Sequence, residues 1–321
     1  MPDAPGRITL WGIEVFIATA EERSITAAAR LLGASPSAVS QQLTNLETAV
    51  GVTLLNRHAR PVTLTPAGEI LRRRAQVILN EAEQAKAELA TADLSALTRF
   101  RLGMIEDFEA ELTPHLLTHM AEGLRECRFL LETGASHVLH DQLDARALDV
   151  IVAAEMGPPA EWMEVHPLLT ERFVVAAPRG ALDPGGDLLA QLRAMPMVQY
   201  SSRHHMGREI ASHLARQDLR LATRFELDSY HAVLALVAGG TGWTILNPLG
   251  LLRARRFREG LDVFDLPFAP LGRTLALIAR RGILREMPAQ VALDLKRLLL
   301  AHVITPGEEE FPGLRGHIAL A

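Results

Sequence analysis

The segment from Ser24 to Glu47 carries small polar side chains at helical spacing, and these are residue types that can read the edge of a base. Ser37, Ser40, Gln41 and Asn45 fall on the polar faces of a predicted helix that opens at Ser35-Pro36 and stops at Gly51. An amide such as Gln41 offers a donor and an acceptor side by side, the pattern that pairs with adenine in the major groove. Hydroxyls bond to bases or phosphates, and the free amides at a helix start favour phosphate. Arg57 and Arg60 follow with positive charge, and Thr26 stands at the start of the preceding helix. Thr26, Ser35, Pro36, Ser37, Ser40, Gln41, Asn45, Arg57 and Arg60 are therefore the candidate DNA-contacting residues. The plain alternative is a helical hairpin with a solvated polar face.

The elements that would position these residues are legible. Leu10 to Glu22 has Leu10, Ile13, Phe16 and Ile17 on one helical face. Ser24 caps a second helix, Ile25 to Leu32, closed by Gly33. The third helix, Pro36 to Val50, buries Val39, Leu43, Leu46 and Val50. Ala27, Ala28 and Ala29 allow close helix approach, so the three helices read as a helix-turn-helix. Val52 to Leu55 and Val62 to Leu64 read as a small hairpin. Residues 1–65 form this domain. Its charge is balanced: Arg7, Arg23, Arg30, Arg57 and Arg60 stand against Asp3, Glu14, Glu21, Glu22 and Glu47. Few phosphates would then be neutralised, which predicts a shallow salt dependence for DNA binding. Arg30 is expected to pair with Glu47 inside the domain.

Thr65-Pro66-Ala67-Gly68 opens a long helix assigned to 66–94. Leu71, Ala75, Ile78, Ala82, Ala85 and Leu89 form a thin heptad stripe, which predicts a dimer contact with a partner helix. From about Arg99 strands alternate with helices, the signature of a mostly parallel α/β unit. Two lobes fit residues 99–302, the first about 99–168 with 270–302 and the second about 169–269. Residues 303–321, with Glu308-Glu309-Glu310 and scattered Gly and Pro, read as a loosely held tail.

Several motifs occur in order at matching spacings: Ala-Ala-Arg-Leu, Ser-Ala-Val-Ser, Leu-Glu, Gly-Val-x-Leu-Leu-x-Arg and Leu-Thr-Pro-Ala-Gly, all before residue 69. In these the sequence resembles the LysR-type transcriptional regulators, closely over residues 8–90 and in element order to about 302. The resemblance implies an α/β architecture with an N-terminal winged helix-turn-helix, a linker helix and a two-lobed effector domain similar to periplasmic binding proteins. It also implies promoter DNA, RNA polymerase and a small-molecule effector as partners, with assembly as a homodimer or homotetramer. Two departures stand out. Pro36-Ser37 replaces the usual Gln-Pro, and Gln41 stands where many members carry arginine.

Ligands of open α/β lobes bind at strand ends and helix starts. Ile105, Glu106, Asp107 and Phe108 follow the first strand of the first lobe, a turn that lines the effector cleft in the resembled family. Its carboxylates suit an ammonium, with Phe108 offering a π face, or they cap the next helix. In the second lobe Ser201, Ser202, Arg203, Ser229, Thr244 and Asn247 occupy the other cleft positions, and hydroxyls with Arg203 suit a carboxylate. An amine-bearing or zwitterionic effector is the expectation.

The 321 residues are 48% hydrophobic, 22% charged and 5% aromatic, with net charge -5, so bulk charge does not hold nucleic acid. Cys127 is the single cysteine, which excludes an intrachain disulfide and a Cys-rich zinc site. The paired histidines His115/His119, His137/His140 and His204/His205 read as surface pairs, so no metal is expected. Gly239-Gly-Thr-Gly242 precedes a strand and is not a dinucleotide fingerprint, and neither a P-loop nor a nucleophile elbow is present, so no cofactor and no catalysis are expected. No apolar run spans a bilayer and the start lacks a secretion signal, pointing to the cytoplasm. Two other readings remain: a ligand-binding protein with a degenerate DNA-binding domain, and an enzyme with a helical appendage.

Overall fold

Capping and glycine punctuation set the N-terminal elements of the computed structural model, which describes residues 7–57, 59–89 and 97–321, with backbone alone at 80, 83–84 and 86–89. Thr9 caps α1 (Leu10–Glu22) by accepting from the Gly12 amide at 3.0 Å. Ser24 caps α2 (Ile25–Leu31) and Ser35 caps α3 (Pro36–Val50), accepting from Ala27 and Ala38. Gly51, at φ 74, ends α3 in a left-handed conformation that other residues adopt at a cost. The strands β1 (Leu55–Asn56) and β2 (Thr63–Leu64) make the expected antiparallel hairpin. Thr65 then caps α4 (Pro66–Leu89) through the Gly68 amide. A Cβ at Gly68 would lie 2.1 Å from the Leu54 carbonyl oxygen, so only glycine lets α4 start this close to the hairpin. Ile13, Phe16, Val39, Leu43, Leu46, Leu54 and Leu55 fill the core of this unit. Burying each of the larger ones contributes about 1.5–3 kcal/mol.

The chain divides into two compact units, the first holding residues up to 96 with 145–147 and the second holding 97–144 and 148–321. In chain order the second contains β3 (Arg99–Ile105), α5 (Thr113–Gly123), β4 (Arg128–Gly134), α6 (Ser136–Asp144), β5 (Val150–Ala154), β6 (Met163–Arg172) and β7 (Val174–Pro178). Next come α7 (Leu188–Arg193), β8 (Met197–Tyr200), α8 (His205–Arg216), β9 (Thr223–Leu227), α9 (Tyr230–Ala238), β10 (Thr244–Leu246), α10 (Pro248–Arg253) and β11 (Leu261–Asp265). The last are β12 (Gly272–Arg280), α11 (Met287–Leu299), α12 (Thr305–Glu310) and β13 (Ile318–Leu320).

The first lobe is built on a six-stranded sheet in the order β13-β6-β12-β5-β3-β4. Only β3 pairs in parallel, with β4 and β5; β12 runs antiparallel to both β5 and β6. The sheet is thus mixed and not mostly parallel. The second lobe holds the three strands β10-β7-β11 and the parallel pair β8-β9. The chain crosses between lobes at Arg172–Phe173, past the expected residue 168, and again at Leu271–Gly272.

The tail corrects the sequence expectation. Phe311 and Leu314 are buried in the second lobe, whereas Ile318 is buried in the first, where β13 adds to the edge of β6. Burial of three large apolar side chains and a strand pairing outweigh the Gly and Pro content. The three crossings lie side by side: the Phe173 amide donates to Leu271 and the Arg172 amide to His317, each at 2.8 Å. Among the described residues no helix is long and apolar enough to cross a membrane.

Candidate functional site

The exposed face of α3 is uncharged. Thr26, Ser35, Pro36, Ser37, Gln41, Thr44 and Asn45 are exposed and Ser40 is half-buried. Gln41 Nε2 donates to Asn45 Oδ1 at 3.0 Å, which leaves Gln41 its carbonyl oxygen and one amide proton for a base edge. Ser35 and Ser37 share a hydroxyl hydrogen bond at 3.0 Å. Arg60 donates to the carbonyls of Arg57 and Ala59 and remains exposed.

Arg57 is placed differently from the expectation. Its guanidinium pairs with Glu47 and also donates to Thr44 Oγ1 at 3.0 Å and to the Ser40 carbonyl at 3.4 Å. It fastens the hairpin to α3 and remains partly exposed. Glu47 is the hub: its Oε1 also accepts from the Leu54 and Leu55 amides at 2.7 and 3.2 Å. The expected Arg30–Glu47 pair is replaced by this arrangement, with Arg30 exposed.

The heptad stripe on α4 splits. Ala75 is buried in its own domain's core and Leu71 packs against that core. Ile78 is 40% exposed and Ala85 is exposed, with Ala82 between these extremes. The Leu89 side chain lies outside the described residues.

A cavity of about 830 Å³ lies between the lobes of the second unit. Ile105, Glu106 and Asp107 line it as expected from the sequence. Phe108 does not: it is fully buried in the core of the first lobe, where a large aromatic is worth most. The expected second-lobe residues are also displaced from the lining. Ser201 and Ser202 donate their hydroxyls to Glu226 Oε1, both at 2.9 Å, and so have no free donor for a ligand carboxylate. Arg203 and Ser229 are exposed outside the cavity wall, and Thr244 is fully buried. Asn247 is buried behind the wall and donates to Glu171 at 3.1 Å.

The centre of the wall is a buried charge cluster. Arg273 bridges Asp107 and Glu171, with each nitrogen–oxygen distance 2.6 Å. The Leu249 amide donates to the other Glu171 oxygen at 3.1 Å. Burial pushes the Glu171 carboxyl up, against the pull of Arg273, and the nearby Asp107 adds to the rise. Two carboxylates share one guanidinium, so the cluster carries one surplus negative charge when both are ionised. Tyr200 and Tyr230 stack nearby with centroids 5.0 Å apart. Burial, with Glu106, Asp107 and Asp228 adding, pushes the Tyr200 phenol up to about 12.

Two family models divide the chain between them. The bacterial regulatory helix-turn-helix protein, lysR family, matches residues 10–69, and the LysR substrate binding domain matches residues 96–297. The chain belongs to the LysR family. It is a DNA-binding regulator with an effector-binding cleft. A probable hydrogen peroxide-inducible genes activator of Mycobacterium avium is 30% identical over 298 residues, 89% of this chain and 92% of that protein. A mutant OxyR of Corynebacterium glutamicum superposes with TM-score 0.61 at 25% identity, covering 95% of this chain and 96% of its own. A full-length OxyR variant from Pseudomonas aeruginosa gives TM-score 0.65 at 22% identity over 91% and 95%, a likeness of fold.

In this LysR-family chain the sequence reading misses Glu171 and Arg273. Both stand at crossovers between lobes, where β6 and β12 pair, and Glu171 sits opposite Arg273 in that register. One signal was available: each is a charge two residues from an apolar run, Pro167-Leu-Leu and Leu275-Ala-Leu-Ile. Among the described residues no group of three or more His, Cys, Asp or Glu is placed to hold a metal ion.

Proposed function

We propose that this LysR-family regulator binds promoter DNA through α3 and that a small molecule carrying a positive charge, held in the interlobe cleft, controls that binding. The charge of the cleft carries this reading. Glu106, Asp107, Glu155, Glu171, Glu209 and Asp228 line it against Arg172 and Arg273, and Arg273 is already spent on Asp107 and Glu171. The hydroxyls of Ser201 and Ser202 expected to receive a carboxylate serve Glu226 instead, so the anionic half of a zwitterion would fall to Arg172. A promoter-binding protein works in the cytoplasm alongside RNA polymerase, and two copies reading successive half-sites fit its role. The test is binding of the full chain to the DNA upstream of its own gene, against unrelated DNA and increasing salt. Preference for the upstream fragment, altered by an organic ammonium and not by a carboxylate, supports the reading. A folded protein without preference at low salt favours a ligand-binding protein whose DNA domain is degenerate.

The name of the Mycobacterium avium relative points to a second reading, a response to peroxide. Cys127 weighs against it. Burial, with Asp149 adding, pushes its thiol up, and the thiolate is the reactive form.

Two substitutions probe the DNA side. Gln41→Ala is expected to reduce discrimination at one base pair by about tenfold while changing overall affinity less; competition binding against single-base variants measures it. Ile78→Asp is expected to shift the protein toward monomer in sedimentation velocity without unfolding it, because Ile78 is 40% exposed. An unchanged oligomer places the interface elsewhere.

A further inference from the structure

We infer that Arg253 is a built-in competitor for the cationic group of the effector, and so sets the ligand strength needed to switch the protein. This rests on the reading of the effector as a cation. The turn after β3 carries Glu106, Asp107, Glu109 and Glu111, and each is matched by an arginine. Arg273 takes Asp107. Arg253, the last residue of α10, lies 2.9 Å from Glu106 and 3.5 Å from Glu109. Arg255 reaches Glu111 at 3.1 Å and Glu310 of α12 at 3.8 Å. Guanidinium groups of the second lobe thus tie down a turn of the first.

Glu106 belongs to both arrangements, since it lines the cleft and holds Arg253. Asp228 lines the same cavity and has no ion-pair partner among the described residues. Tyr200 lines the same cavity as Glu106, Asp107 and Asp228, and burial and these carboxylates hold its phenol up while Arg253 pulls it down. An ammonium arriving beside Tyr200 meets a Glu106 carboxylate already neutralised by a tethered guanidinium. It binds in full only when Arg253 lets go. Release of Arg253 unties the turn from α10, which gives the ligand the differential interaction with two states that a switch requires. An anion has no use for the Glu106 carboxylate and gains nothing from that release, so the exchange distinguishes cations from anions. Arg253 is 27% exposed, and partly exposed pairs are weak enough to be displaced.

The experiment compares the full-length wild type with Arg253→Gln and Arg253→Lys. Each is titrated calorimetrically with phenethylammonium and with phenylacetate. Hydrogen exchange of residues 106–112 is followed without ligand. Arg253→Gln is expected to bind phenethylammonium about fivefold more tightly, with no gain for phenylacetate, while Arg253→Lys stays near wild type. The Glu109 and Leu112 amides, bonded to the Glu106 and Phe108 carbonyls, are expected to exchange faster in Arg253→Gln. Equal phenethylammonium affinity in wild type and Arg253→Gln overturns the competitor role and leaves the cation reading standing. Binding of phenylacetate alone, lost in Arg253→Gln, makes Arg253 an anion anchor and overturns both. If no probe binds, unchanged exchange in Arg253→Gln overturns the tie and faster exchange supports it.

Discussion

Arg273→Met is expected to destabilise the effector domain by about 3–5 kcal/mol near neutral pH, the usual loss when one partner of a buried ion pair is removed. The cause is Glu171, whose carboxylate is fully buried and keeps only the Asn247 and Leu249 donors once the guanidinium is gone. The effect depends on pH in a stated direction. Without Arg273 the folded-state pKa of Glu171 rises further above its unfolded value. Below the ordinary carboxylate range, roughly pH 4, the group is neutral in both states and the loss is small. As pH rises the unfolded chain ionises first, so the penalty grows until the folded pKa is passed. Thermal unfolding of the full chain at about pH 4 and about pH 7.5 checks this, with a drop near 10 °C expected at the higher pH. A drop of equal size at both values would place the loss in packing and not in charge.

Glu47→Ala is expected to destabilise the DNA-binding unit by about 3 kcal/mol, since it strands the Leu54 and Leu55 amides and unpairs Arg57 together. Both leucines are 2% exposed, so water does not easily replace the lost acceptor. Affinity should fall for all DNA sequences alike, because the hairpin is no longer fastened to α3. Glu47→Gln keeps an oxygen for the amides and should lose about half as much. Calorimetry with paired DNA-binding assays measures both. Full stability in Glu47→Ala would show that α3 and the hairpin are held by apolar packing alone.

The helix-turn-helix was legible because its signals are local. Ser24, Ser35 and Thr65 cap their helices within three residues, and Gly51 stops α3 by its own conformation. The Arg57–Glu47 pair was not legible for the opposite reason: the partners are ten residues apart, separated by the end of α3 and β1. The strand β6 was missed, because Pro167 and a register shift against Leu275–Ala276 break its alternation midway. Glu171 lies on that strand, so the heart of the cleft went unseen with it. That Glu106 and Asp107 line the cavity was legible because they directly follow a clean strand. Phe108, two residues on, turns into the core, a choice made by tertiary packing.

The row of neighbouring segments at Arg172–Phe173, Leu271–Gly272 and Arg315–His317 has a mechanical consequence. Two lobes joined by a single cord can swivel freely. Here three hydrogen-bonded lengths of chain lie side by side as a flat ribbon. A ribbon bends more readily across its face than it twists, so any opening of the lobes is expected to follow one axis, like a door on its frame. The last residues of the chain supply the third leaf of that joint, and Gly316, at φ 74 between the anchors Leu314 and Ile318, gives it a place to flex.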